Sequence, residues 1–104
     1  MKKSPVPYQR MLFVCTHARE GEIACNNAEH GENRGELLCE KLREELLKRG
    51  LEGKIRVAKS GCMDFCSAGP NIMVFDGQGA YTWESGVAQA DLPQIAEQYL
   101  RLPD

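Results

Sequence analysis

Five cysteines in 104 residues are the side chains here most able to do chemistry. Cys62 and Cys66 sit in Ser60-Gly61-Cys62-Met63-Asp64-Phe65-Cys66-Ser67-Ala68-Gly69-Pro70, between two apolar runs. Two thiols four positions apart on a loop can bind one metal centre together. They can also close as a redox disulfide or supply half of a larger metal site. Glycine beside such a pair lets backbone N–H groups approach sulfur closely. Cys15 and Cys25 make a second, wider pair with nine residues between them. Cys39 stands apart from both.

Composition narrows the classes of function. The net charge of −2 and the scattered Lys and Arg give no basic stripe for nucleic acid. Apolar residues make up 42% and charged ones 27%, ordinary values for a soluble globular chain. No stretch approaches the roughly 18 consecutive apolar residues of a membrane span. The basic start Met1 to Arg10 is followed only by the short apolar run Met11 to Cys15, too short for the core of a secretory leader. The expectation is a cytoplasmic protein, a setting in which clustered cysteines more often bind metal or do redox work than form structural bridges. An odd cysteine count also argues against a complete disulfide framework.

The elements that must position these thiols follow from pattern. Residues 1–9 hold Pro5 and Pro7 without periodicity and read as a loose arm, so the expected domain is 10–104. Arg10 to Cys15 is a short apolar run that fits a buried strand, with Cys15 at its C-terminal end. Thr16 to Arg34 is polar and loop-like, and it carries Cys25. Long irregular loops in compact domains are usually functional or disordered. A helix follows, with Asn33 as the expected cap and Glu36 completing a capping box. Leu38, Leu42 and Leu46 line one face of that helix, and Lys48, Arg49 and Gly50 mark its end. Ile55 to Lys59 alternates as a second strand and Asn71 to Phe75 reads as a third. Asp76-Gly77-Gln78-Gly79 is a turn, and Ala80 to Glu84 returns as a fourth strand to form a hairpin. Asp91 caps a last amphipathic helix with Leu92, Ile95, Ala96, Tyr99 and Leu100 on one face. The order β-α-β-β-β-α predicts an α/β, thioredoxin-like fold: a small mixed sheet built from a βαβ unit plus a hairpin, with packing helices.

In a parallel βαβ unit both strands end at the same edge of the sheet, where the ligand sites of open α/β sheets gather. Cys15 ends one such strand and Cys62 follows the other, so the two pairs are expected to meet as a four-thiolate metal site. Zinc sites usually show short C-x(2–4)-C spacing in both halves. A [2Fe-2S] cluster takes two thiolates on each iron, which suits two pairs on separate loops. Glycine N–H groups around Cys62 and Cys66 would tune such a centre.

Phe13-Val14-Cys15, the later Cys25, and Lys59-Ser60-Gly61-Cys62-Met63-Asp64-Phe65-Cys66 with Gly69-Pro70 before an apolar strand resemble the thioredoxin-like, or Shethna-type, [2Fe-2S] ferredoxins. The same module resembles the small iron–sulfur subunits of respiratory complex I and of NAD-linked hydrogenases. The resemblance covers about Arg10 to Leu100. In place of the Arg-Pro common after the first cysteine, this chain has His17-Ala18-Arg19-Glu20. The resemblance implies that Cys15 and Cys25 hold one iron and Cys62 and Cys66 the other. It implies one-electron transfer between partner oxidoreductases, a homodimer, and no enzymatic turnover of its own. Two other readings stay open at this point: a thiol–disulfide oxidoreductase using Cys62 and Cys66, and a zinc-stabilised interaction module. Against the oxidoreductase, the end of the first strand carries Cys15 alone rather than C-x-x-C.

The remaining candidates have plainer readings. Cys39 falls on the apolar helix face near Leu46 and reads as a buried core thiol. His17 and His30 read as solvated loop residues, with histidine ligation at His17 as the sharper rival. Glu20, Glu22, Glu29 and Glu32 form an acidic surface that could steer a basic redox partner. Tyr81 and Trp83 share one strand face and read as core or interface packing.

Overall fold

The computed structural model describes residues 1–4, 7–16, 28–60, 70–76 and 81–102. The described strands are β1 (Arg10–Cys15), β2 (Ile55–Ser60), β3 (Ile72–Asp76) and β4 (Tyr81–Glu84). They form one sheet in the order β2-β1-β3-β4. β1 pairs parallel with β2, whereas β1/β3 and β3/β4 are antiparallel. The parallel pair is bridged by the helix α1 (Gly35–Lys48), and α2 (Leu92–Tyr99) closes the described fold. This is the predicted βαβ unit plus hairpin.

Pleat period decides which side chains become core. Leu12 stands opposite both Val57 and Val74, and Val14 opposite Ile72, so these residues share one face of the sheet. They are buried in one cluster with Leu38, Cys39, Leu42 and Leu46 of α1 and Leu92, Ile95, Ala96 and Tyr99 of α2. Each large aliphatic side chain removed from water there contributes about 1.5–3 kcal/mol. The other face carries Met11, Phe13, Met73 and Phe75, half-buried, with Tyr81 and Trp83 exposed on β4. Tyr81 and Trp83 therefore do not join the core. Tyr81 instead lies against Phe75, ring centres 5.1 Å apart.

The helix ends show where local chemistry won and lost. α1 stops in a Schellman turn: Gly50 N–H donates to Leu47 O at 3.1 Å and Leu51 N–H to Leu46 O at 3.4 Å. Gly50 takes a φ of +68°, as that turn requires. Its start departs from the expected capping box. Arg34 occupies the cap position and makes no side-chain cap bond. Asn33 is occupied elsewhere, because its Oδ1 accepts the Gln89 N–H at 2.8 Å. Glu36 pairs with Lys59 at 3.3 Å instead of reaching back. Asp91 likewise does not cap α2 with its side chain. It ends a 3-10 turn (Gln89–Asp91) and its Oδ2 accepts the Ala88 N–H at 2.9 Å.

Two arginines hold the far end of α2, a helix of only eight residues. Arg10 Nη1 donates to Tyr99 O and Arg101 O at 3.0 and 2.8 Å. Arg49 donates to Glu45, Glu97 and the Leu100 carbonyl, which ties the end of α1 to the end of α2. No helix among the described residues is long and apolar enough to cross a membrane.

Candidate metal centre

Cys15 is the one predicted ligand among the described residues, and its surroundings are well defined. It is the last residue of β1 and is fully buried, with a free thiol. Its parallel partner is Ser60, the last residue of β2. On the other side its N–H donates to Asn71 O at 3.1 Å, extending the β1/β3 ladder one rung beyond Val14–Ile72. Thr16 then fastens the two strand ends together. Its N–H and its hydroxyl both donate to Ser60 O, at 3.3 and 3.1 Å.

These bonds bring the described flanks of two chain segments to one edge. The segment 17–27 leaves from Thr16, and the segment 61–69 leaves from Ser60 and returns at Pro70. Pro70 O accepts the Val87 N–H at 3.0 Å, so the start of the last helical region lies at the same edge. The first of these segments is followed by the 3-10 turns Ala28–Asn33, kinked at Gly31 with φ 55° and ψ −122°. Those turns are clasped to the segment before α2: besides the Asn33–Gln89 bond, Gln89 Nε2 donates to Glu32 O at 2.8 Å. The Glu36–Lys59 pair places the first turn of α1 there too, one residue from Ser60. The positive ends of two helical segments therefore gather at the cysteine edge, a field that favours an anionic group.

Cys25, Cys62, Cys66 and His17 lie outside the described residues. Among the described residues, no three His, Cys, Asp or Glu side chains come together as a metal site. Cys39 is fully buried within the aliphatic cluster, as its helical spacing indicated. Burial pushes its thiol above the ordinary range, only partly offset by the nearby charges of Arg43 and Lys59.

Sequence reasoning missed one contributor to this edge. Asn71 is 1% exposed, a buried polar side chain beside Cys15. Trp83 Nε1–H donates to its Oδ1 at 3.1 Å. The available signal was a polar residue held at the mouth of an apolar strand directly after Gly-Pro.

No family model matches the chain. A curated relative, the ferredoxin "2Fe-2S" of Clostridium pasteurianum, is 31% identical over 93 residues, covering 86% of this chain and 82% of that protein. The crystal structure of the wild-type thioredoxin-like [2Fe-2S] ferredoxin of Aquifex aeolicus superposes with a TM-score of 0.72 at 25% identity. That likeness covers 89% of this chain and 86% of the other. A further structure of a thioredoxin-like [2Fe-2S] ferredoxin from the same organism gives a TM-score of 0.71 at 24% identity, over 92% and 86%.

Proposed function

The chain belongs to the thioredoxin-like [2Fe-2S] ferredoxins, and from that membership we propose that Cys15, Cys25, Cys62 and Cys66 hold its [2Fe-2S] cluster. The protein is a one-electron carrier. The observation that carries the ligand set is the position of Cys15, a buried free thiol at the end of β1 and in register with Ser60. Cys62 follows Ser60 by two residues, a length of chain that spans at most about 7 Å. Thiolates are the donors that iron–sulfur clusters take, so the residues fit the group. When bound, the cluster takes up and returns one electron, moving the four-thiolate site from a dianion to a trianion.

The chain's own residues make that anion tolerable. The helix starts at this edge offer positive dipole ends. Thr16, Ser60 and Asn71 lock the strand ends so that the Cys15 sulfur is held out of water. The N–H groups of Cys15 and Thr16 are already given to Asn71 and Ser60 carbonyls. N–H donors to the sulfurs would therefore come from the glycine-bearing stretch around Cys62 and Cys66.

In this reading the carrier works in the cytoplasm between oxidoreductases, as a homodimer, with no turnover of its own. A reducing compartment suits its free thiols. The half-exposed apolar face of Met11, Phe13, Met73 and Phe75 supports self-association, and sedimentation at the monomer mass would contradict it. The acidic Glu20, Glu22, Glu29 and Glu32 would steer a basic partner, an effect that salt should weaken.

The direct test is anaerobic purification followed by absorption spectroscopy and metal analysis. Brown protein with two iron and two acid-labile sulfides per chain is expected. It should titrate with one electron at a low midpoint, on the order of −400 mV. Cys15→Ser should bleach or redshift the spectrum, while Cys39→Ser leaves it unchanged. Colourless protein with one zinc, or a reducible Cys62–Cys66 disulfide without metal, would sink the reading.

A further inference from the structure

We propose that Asn71 and Trp83 are positioning residues for the Cys15 thiolate, acting through a cross-strand relay from β4 to the end of β1. The proposal rests on the reading of Cys15 as a cluster ligand. Three observations carry it. The Asn71 main chain is fixed to Cys15 by the 3.1 Å bond from the Cys15 N–H. Its side chain is fixed to β4 by the 3.1 Å bond from Trp83 Nε1–H to Oδ1. Continuing the β1/β3 register one rung sets Asn71 directly across from Cys15, on the same face of the sheet. Side chains in such cross-strand pairs have Cβ atoms about 4.5–5.5 Å apart.

The polarity of Asn71 is what calls for explanation. Every other fully buried large side chain among the described residues is apolar or a thiol. A leucine of similar volume would fill the space without need of a partner. A buried carboxamide instead needs hydrogen bonds, and leaving one arm unmet costs about 1–3 kcal/mol. Trp83 meets the oxygen arm from a position that is 37% exposed, so its indole is not there to fill the core. The bond fixes which way the carboxamide dipole points beside Cys15. Groups that orient a metal ligand in this way usually change metal affinity when lost, by about 10–100-fold.

Trp83→Phe removes the N–H donor and keeps an apolar ring at an exposed site, so the fold should tolerate it. The holoprotein variant is expected to keep its visible spectrum, to lose iron to a chelator about tenfold faster, and to show a shifted reduction midpoint. Asn71→Leu should do the same. The double variant should add nothing to the Asn71→Leu effect, because both changes break one relay. Tyr81→Phe, on the same strand but off the relay, should leave both readouts unchanged. Unchanged iron release and midpoint in Trp83→Phe would overturn the proposal, as would additive effects in the double variant. Failure of the ligand reading looks different: Cys15→Ser would then retain the native spectrum, whatever Trp83 does.

Discussion

Cys15 and Cys39 are equally inaccessible, yet burial means different things for them. Cys39 is surrounded by the aliphatic cluster, where the neutral thiol is the stable form. The sign of its effect on stability follows from linkage. A raised folded value means that the unfolded chain releases its proton first as pH rises. The contribution of Cys39 to stability is therefore fully present below about pH 8.5, where free thiols begin to ionise, and is lost as pH rises further. Tyr99 acts in the same direction at higher pH, since burial and the nearby Glu84 carboxylate push its phenol up. Denaturant midpoints measured at rising alkaline pH should fall, and Cys39→Ala should flatten the first part of that fall. Flat midpoints in the parent chain would contradict this. The fate of Cys39 was legible in the sequence because its helical spacing to Leu46 fixes its face. The Asn71–Trp83 bond was not, because it depends on the register of two strand pairs that no local pattern reports.

At the scale of elements, the stop of α1 could be read and its start could not. Gly50 announces the Schellman turn because few other residues accept its left-handed backbone. A Cβ added there would meet nothing within 4 Å, so the penalty of Gly50→Ala is one of backbone alone. A loss of about 1–2 kcal/mol is expected in equilibrium unfolding. A substantially smaller loss would mean that the turn relaxes to another geometry. The start of α1 misled because a capping box is written locally but decided by where the flanking chain goes. Asn33 holds Gln89, and Glu36 holds Lys59, so both side chains serve contacts distant in sequence. Asp91 shows the same substitution of a neighbouring turn for a helix cap. The strands were easier: β1 through β4 fall within a residue of their expected limits, because the apolar runs and alternation that mark them are local.

For the whole molecule, the fold class was legible because strand–helix–strand order forces a parallel pair and brings both strand ends to one edge. The same rule brought Cys15 to the strand end that leads to Cys62, while the clasp between Glu32, Asn33 and Gln89 had no counterpart in the pattern. The Cys15–Ser60 rung has a further consequence, for the order of events in time. Its two residues are 45 positions apart, with the whole of α1 in the chain between them. Closing a loop of that length costs entropy that sheet and core must offset. Iron would then arrive last, at strand ends already joined, and would have little part in nucleating the chain. Protein stripped of iron should keep its far-ultraviolet circular dichroism and its refolding rate. Its thermal midpoint alone should drop, by the mass-action share that a bound group adds. Loss of the sheet signal on stripping would show the opposite order. Whatever delivers the iron would accordingly meet strand ends already joined at Cys15 and Ser60.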